Sequence, residues 1–149
     1  MRVLVRAQAR FKLYHVTDLE KVPSIKRTGI RPSITQCKGY PQPKGREVAS
    51  FATDGMTQKR TGVYRSGDDI PYAIVEFEVD DDLLNKGMVG DIYQECRPGY
   101  FNSLMPLREF IQIYPESLSR FKEVEVYFPS TMIPPSLITN VYRVETDIP

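Results

Sequence analysis

Apolar and polar positions alternate along several short stretches of the chain, and this period of two predicts β-strands. The alternation is clearest at residues 123–128, where every second side chain is a valine or phenylalanine. Residues 72–79 form the most apolar stretch and predict a half-buried strand that Asp80–Asp82 ends. The same signal predicts strands at residues 48–53 and 137–144, and one or two strands within residues 3–16.

Apolar side chains spaced three and four positions apart predict a helix over residues 19–28. Asp18 precedes this helix as its N-cap, and Gly29 follows it as the C-cap. Pro23 lies in the first turn, where its missing N–H does no harm. A second short helix is compatible with residues 56–60.

Glycine, proline and polar residues dominate residues 31–47 and 87–102, which favours irregular loops. Residues 104–113 fit either a strand or a helix, because their periodicity does not separate the two. Many short strands with one or two short helices predict an α+β fold built on mainly antiparallel sheets.

The chain has 149 residues, which predicts a single domain over residues 1–149. Hydrophobic residues make up 41%, charged residues 26%, and the net charge is +1, so neither disorder nor a strongly charged polymer-binding protein is indicated. Residues 1–10 carry three arginines and an apolar stretch too brief for a signal peptide or a membrane span. A cytoplasmic protein without a membrane segment is therefore expected.

Metal ligands are scarce in the sequence. Its two cysteines, Cys37 and Cys96, are far apart, and His15 is the single histidine. A zinc site with the usual number of cysteine and histidine ligands cannot be assembled from them. We therefore expect chemistry without a metal.

Two pairs of polar residues are candidates for chemistry. His15 and Thr17 share one face of a predicted strand that leads into the capped helix, an arrangement that can hold a ribose. Glu123 and Glu125 also share a strand face, where two like charges repel unless both are solvated or are held there for a purpose. The alternatives are a histidine that packs in the core and a glutamate pair on a solvent-facing strand, as for Glu76 with Glu78.

Three stretches resemble motifs of the ADP-ribosyltransferase superfamily, especially its DarT-type and RNA 2′-phosphotransferase-like branches. Residues 13–30 resemble the opening motif, in which a strand with a histidine runs into a helix that ends at a glycine. Residues 48–64 are similar to the second motif, and residues 123–135 to the strand with the catalytic glutamate and the proline turn after it. The resemblance implies a split antiparallel β-sandwich with one or two short helices.

The resemblance also implies NAD as the substrate and gives each candidate a role. Glu125 would polarise the 2′-hydroxyl and stabilise the oxocarbenium-like transition state, while His15 would hydrogen-bond a ribose hydroxyl. Ser50, where many members have tyrosine, would fix the nicotinamide ribose. Thr17 would support the adenosine side or its own strand, and Tyr64 would stack on nicotinamide. Glu123 would orient the acceptor or deprotonate it as a general base.

Three functions remain open from the sequence. The first is NAD-dependent transfer of ADP-ribose to a protein, DNA or RNA acceptor by a bacterial or phage toxin or effector, with a possible antitoxin or immunity protein as partner. The second is an RNA 2′-phosphotransferase-like enzyme, for which a matching set of basic residues is not evident. The third is a binding module that kept the fold and lost the activity.

Overall fold

The computed structural model describes residues 11–32, 50–51, 72–91, 104–113 and 124–144. Seven β-strands in these residues form two antiparallel sheets. The strands are β1 (Lys12–Asp18), β2 (Ser50–Phe51), β3 (Tyr72–Glu78), β4 (Met88–Asp91), β5 (Met105–Pro106), β6 (Val124–Tyr127) and β7 (Ile138–Val144). The helices are α1 (Val22–Thr28), α2 (Asp81–Lys86) and α3 (Leu107–Ile113), with 3-10 turns at Leu19–Lys21 and Pro135–Leu137. These elements make the fold α+β, as the sequence predicts.

The first sheet has three strands, with β3 between β1 and β7. In the β1–β3 pair, His15 lies opposite Val75 and Thr17 lies opposite Ala73. The β3–β7 pair contains one irregularity, between Glu76 and Phe77, where the register shifts. The four residues of β3 that precede Glu76 are therefore paired regularly on both sides.

The second sheet has four strands in the order β2, β6, β4, β5. Ser50 of β2 lies opposite Tyr127 of β6, and Gly90 of β4 lies opposite Glu125. β2 is at one end of this order and is thus an edge among the described strands.

Strand β3 is buried on both faces, so the prediction of a half-buried strand was wrong. Every side chain from Tyr72 to Phe77 is buried, including that of Glu76. One face of β3 contributes Val75 and Phe77 to the main core, and the other contributes Tyr72 and Ile74 to a second cluster. A central strand covered on both sides has no solvent-facing positions, whatever its polar residues suggest.

The main core lies between the two sheets and includes residues from both. Phe77 of the first sheet contacts Phe128, which follows β6, edge to face at a centroid distance of 6.2 Å. Such an offset aromatic pair is the favoured geometry for two phenyl rings. Helices close the core with four further buried side chains, those of Ile25, Leu83, Leu107 and Phe110.

The helix predicted at residues 19–28 begins as the 3-10 turn and continues as α1. Asp18 occupies the capping position, but its side chain makes no capping hydrogen bond and instead lies 3.8 Å from Lys21 Nζ. Gly29 ends α1 with φ of +89°, and its N–H donates to Ile25 O at 2.8 Å. Gly29 is thus the C-cap that the sequence predicts, in a backbone conformation that favours glycine.

The sequence pattern missed α2 and β4 and left residues 104–113 open. Asp80 is the N-cap of α2, because its Oδ1 accepts a hydrogen bond from Leu83 N at 2.9 Å. Residues 104–113, for which strand and helix remained open, contain both, since β5 leads directly into α3. Residues 88–91, predicted to be irregular, form β4.

Several predicted features lie outside the described residues. They are the strand near Val3 and Val5, most of the 31–47 loop, the greater part of the 48–53 strand, the helix at residues 56–60, and the candidates Tyr64 and Glu123. Among the helices of the described ranges, none combines the length and the apolar character that crossing a lipid bilayer requires.

Candidate functional site

The first part of the site is the face of β1 that carries His15 and Thr17. Both alternate with Val16 and share the face of Leu13, whose side chain belongs to the main core. His15 is half-buried, whereas Thr17 is only 5% exposed. The Thr17 hydroxyl makes no hydrogen bond within the described ranges.

A buried hydroxyl without a partner is unusual in a folded protein. Desolvating such a group costs free energy that a hydrogen bond normally offsets, so an unsatisfied one calls for an explanation. A bound ligand that donates to or accepts from the hydroxyl provides one. Thr17 lies two residues from the single histidine, on the same strand face.

The second part of the site lies on β2 and β6. Ser50 is paired with Tyr127, which is two residues along β6 from Glu125. Directly opposed positions share a sheet face, and so do positions two apart on one strand. Positions 50 and 125 therefore fall diagonally on the same face of the four-stranded sheet.

The three strands with predicted site residues are neighbours in space. Among the described strands, β1, with His15, is at one edge of the first sheet, and β2, with Ser50, is at one edge of the second. These two edges are in contact, and β6, with Glu125, is paired with β2. The order β1, β2, β6 therefore runs without interruption across the boundary between the sheets.

The candidate positions on these strands do not all lie on the side that faces the main core. Val126 of β6 belongs to that core, so position 125 falls on the opposite face of its sheet, with the buried Tyr127. His15 and Thr17 are on the core-facing side of the first sheet. The structure thus brings the strands together and puts positions 50 and 125 on one face of the second sheet, but it does not put His15 on that face.

A backbone bridge joins residues 13–30 to residues 123–135, the stretches of the first and third motifs. Ile30 and Ile133 each donate an N–H to the other's carbonyl oxygen, both at 2.9 Å. This bridge joins the segment after α1 to the turn that follows β6, which contains the Pro134–Pro135 pair noted in the sequence. Sequence spacing alone gives no indication of this contact.

Sequence reasoning missed one buried polar cluster, centred on Glu76. Glu76 Oε1 accepts a hydrogen bond from Thr139 Oγ1 at 2.7 Å and lies 3.4 Å from Lys12 Nζ. Glu76 Oε2 accepts a hydrogen bond from the Tyr142 hydroxyl at 3.1 Å. The exposed strand face inferred for Glu76 and Glu78 is therefore wrong for Glu76, because donors from β1 and β7 satisfy its buried carboxylate.

The charge state of Glu76 follows from these contacts. Burial raises the pKa of its carboxyl group, but the hydrogen bonds from Thr139, Tyr142 and Lys12 and the charge of Lys12 outweigh burial. The pKa of Glu76 is lowered as a result, so the group is ionised at neutral pH. Both carboxylate oxygens have partners, so the cluster links the three strands of the first sheet, β1, β3 and β7.

No group of three or more potential metal ligands occurs among the residues that the structure describes. Comparisons of the chain with protein-family models, with curated proteins and with solved structures find no match. Its function must therefore be argued from its own residues.

Proposed function

We propose that this protein is an NAD-dependent ADP-ribosyltransferase that acts on a macromolecular acceptor, on a split antiparallel β-sandwich of the ADP-ribosyltransferase type. The observation that carries the proposal is the spatial order β1, β2, β6. Three motifs that are far apart in the sequence lie on three strands that are neighbours in space, which supports a shared site, although His15 and position 125 fall on different faces. Unrelated motifs could have fallen on any of the seven described strands.

One ribose of the substrate is assigned to β1. The His15 imidazole can donate to or accept from a ribose hydroxyl, and the Thr17 hydroxyl, which makes no hydrogen bond within the described ranges, offers a second polar contact on the same face. A ligand that satisfies the Thr17 hydroxyl removes the desolvation cost of its burial. This favours a polyhydroxylated ligand over an apolar one.

The reaction is assigned to β6. Cleavage breaks the bond between the nicotinamide nitrogen and C1′ of the ribose, and positive charge develops on the sugar as nicotinamide leaves. The Glu125 carboxylate is suited to accept a hydrogen bond from the 2′-hydroxyl and to stabilise this charge. The acceptor nucleophile then bonds to C1′ and gives up its proton, for which Glu123 is the candidate base.

The dinucleotide is expected to cross the boundary between the two sheets. Its parts must reach the core-facing side of β1 and the opposite face of β6, so the contact between the edges of β1 and β2 is the crossing point. Ser50, at one end of the described strand order of the second sheet, is proposed to hold the nicotinamide ribose. Tyr64 is kept as the residue that stacks on nicotinamide.

The acceptor is proposed to be a protein, DNA or RNA, and the biological role that of a bacterial or phage toxin or effector. To test this, the purified chain is incubated with NAD labelled in the adenosine moiety and with separate protein, DNA and RNA fractions. Transfer of label to one fraction, together with release of nicotinamide, is the expected result. A label on no fraction and no free nicotinamide overturn the proposal.

Variants distinguish the roles within this test. Glu125→Gln is expected to abolish transfer while NAD binding is retained, because the amide keeps the shape and removes the charge. Glu123→Gln is expected to reduce transfer more than hydrolysis of NAD. Glu20→Gln, which changes an exposed glutamate on the 3-10 turn, is the matched control.

Two outcomes support the alternative functions. NAD binding without cleavage by the wild type supports an inactive binding module, and release of a 2′-phosphate from RNA supports the phosphotransferase.

A further inference from the structure

Strand β7 is at one edge of the first sheet among the described strands, where β3 is its strand partner. The pairing with β3 is regular over residues 140–144, which lie opposite residues 72–76. Backbone groups of an edge strand that point away from its neighbour can pair with a strand of another chain. The side of β7 away from β3 is therefore a candidate contact surface.

The hydrogen bonds of β3 decide which backbone groups of β7 point outward. Val79 N donates to Phe11 O at 2.9 Å, so these residues form a hydrogen-bonded pair on the β1 side of β3. Hydrogen-bonded and non-hydrogen-bonded pairs alternate along an antiparallel ladder, so Val75 also directs its backbone groups toward β1. Val141, which lies opposite Val75, therefore directs its N–H and C=O away from β3. The same holds for Arg143, two residues further along.

The outward N–H of Val141 is occupied by the side chain of the preceding residue. It donates to Asn140 Oδ1 at 2.8 Å. This contact is independent evidence that the Val141 N–H does not point toward β3. It also puts an amide side chain where the carbonyl oxygen of an added strand would lie. Within the described structure, no side chain occupies the Arg143 N–H in this way.

A second copy of the chain matches this edge in an antiparallel arrangement. The regular stretch has Tyr142 at its centre, so two copies related by a two-fold axis place Tyr142 opposite itself. Val141 then lies opposite Arg143 of the second copy, and the two such pairs can form four hydrogen bonds. The register puts the arginine opposite a valine, so like charges do not face each other. Tyr142 is 44% exposed and would be covered.

We infer that the Asn140 side chain prevents a second copy of the chain from pairing with β7. In each copy, the Val141 N–H must leave Asn140 Oδ1 before it can donate to the other copy. Two of the four hydrogen bonds are therefore gained only in exchange for existing ones. The remaining contact is far smaller than stable interfaces, which contain about ten hydrogen bonds. This inference goes beyond the proposed function and does not depend on it.

The experiment measures the association of the full chain by sedimentation velocity, from micromolar to millimolar concentrations. Asn140→Thr removes the carbonyl oxygen that accepts from Val141 and keeps a polar residue that favours strands. The variant is expected to form a weak, concentration-dependent dimer. Its association constant is expected to exceed that of the wild type about 30-fold, which corresponds to about 2 kcal/mol for two hydrogen bonds.

Asn85→Thr is the matched control, because Asn85 is an exposed asparagine on α2 whose Oδ1 accepts from Arg108 Nε at 2.8 Å. It is expected to sediment as the wild type does. Asn140→Asp keeps an acceptor oxygen for the Val141 N–H and is expected to do the same. Circular dichroism and thermal denaturation of each variant show whether it is folded.

Two measurements locate the contact on β7. Adding Arg143→Pro to Asn140→Thr removes an outward N–H and breaks no hydrogen bond to β3, and an edge strand tolerates proline in that orientation. This double variant is expected to lose the association. In Asn140→Thr itself, hydrogen exchange of the amides of residues 141 and 143 is expected to slow as the concentration rises. The exchange measurement decides alone if the proline variant does not fold.

Three outcomes overturn the inference. It is wrong if Asn140→Thr associates no more strongly than the wild type. It is also wrong if the folded double variant still associates, or if exchange at residues 141 and 143 does not depend on concentration. None of these measurements involves NAD, so their failure leaves the proposed function as it was, and a lack of NAD cleavage leaves this inference as it was.

Discussion

Ile30 and Ile133, 103 positions apart in the sequence, exchange two backbone hydrogen bonds of 2.9 Å. Both side chains are buried in the main core, at 2% and 0% exposed. The bridge ties the segment that follows α1 to the turn between β6 and β7. These two segments follow the strands that carry His15 and Glu125, so the bridge contributes to the relative position of those strands.

Gly29, next to this bridge, is expected to tolerate no side chain. A Cβ at Gly29 would lie 2.1 Å from Ile133 O, and its φ of +89° with ψ of −177° is a conformation essentially confined to glycine. Gly29→Ala is therefore expected to lower the free energy of unfolding by about 2 kcal/mol or more, measured by urea denaturation.

Gly87→Ala is the comparison for this prediction. A Cβ there would lie 2.7 Å from the Cδ2 atom of Leu107, the end of a flexible side chain, and the φ of Gly87 is −69°. Its cost is expected to be the smaller of the two. An equal loss in both variants contradicts the role given to the approach of Gly29 to Ile133.

Thr17→Val separates a ligand-binding role from a structural one. The valine has the same shape and removes a buried hydroxyl that lacks a partner in the described structure, so the free energy of unfolding is expected to stay the same or to rise by up to about 1 kcal/mol. NAD affinity is expected to fall about 5- to 10-fold, since a hydrogen bond contributes about 1 kcal/mol. Chemical denaturation and calorimetry measure the two effects.

Thr139→Val is the matched variant, and its effects are expected to be reversed. The Thr139 hydroxyl donates to Glu76 Oε1 at 2.7 Å, so its removal leaves a buried carboxylate short of a donor. A loss of about 1 to 3 kcal/mol with unchanged NAD affinity is expected. If Thr17→Val destabilises the fold as much as Thr139→Val does, the Thr17 hydroxyl is structural.

Glu76 is expected to make the free energy of unfolding decrease at acidic pH. Its pKa is lowered in the folded protein, so its contribution is complete above the unfolded pKa of about 4.3 and is lost as pH falls through the folded pKa. Glu76→Gln is expected to reduce the free energy of unfolding at pH 7 by about 1 to 3 kcal/mol and to flatten its decline below pH 4.3. Denaturation curves from pH 7 to pH 3 test both statements.

Glu109→Gln serves as the control for the acid dependence, since Glu109 is exposed on α3. Its free energy of unfolding is expected to stay within about 0.5 kcal/mol of the wild-type value, which is the contribution of an exposed charge in the first turn of a helix. A Glu76→Gln curve with the wild-type slope would show that Glu76 titrates alike in the folded and unfolded chains.

Asp80 is expected to stabilise α2 as its N-cap. Its Oδ1 accepts from Leu83 N at 2.9 Å, and capping side chains of this kind are worth about 1 kcal/mol. Asp80→Ala is expected to lower the free energy of unfolding by that amount in urea denaturation. Asp81→Ala, an exposed residue in the first turn, is expected to cost about 0.3 to 0.5 kcal/mol through the helix dipole alone.

Local signals in the sequence predicted local structure well. β1, α1 with Gly29 as its C-cap, β6 and β7 lie where periodicity and turn residues predict them, within a few residues. The cap of α2 could have been found as well, because Asp80 is followed by two acidic residues and then by Leu83. The candidates Glu123 and Tyr64 fall outside the described residues and stay predictions.

What the sequence by itself determined is the set of elements and the residue types they carry, because backbone preferences and side-chain alternation act over a few neighbouring residues. Tertiary structure alone decided which strands are neighbours, that Glu76 is buried, that Ile30 meets Ile133, and that the Val141 N–H points away from β3. Those relationships depend on the pairing of segments that are far apart in the sequence, as Ile30 and Ile133 are. Such pairing is set by burial and hydrogen bonding across the whole fold, which no local pattern specifies.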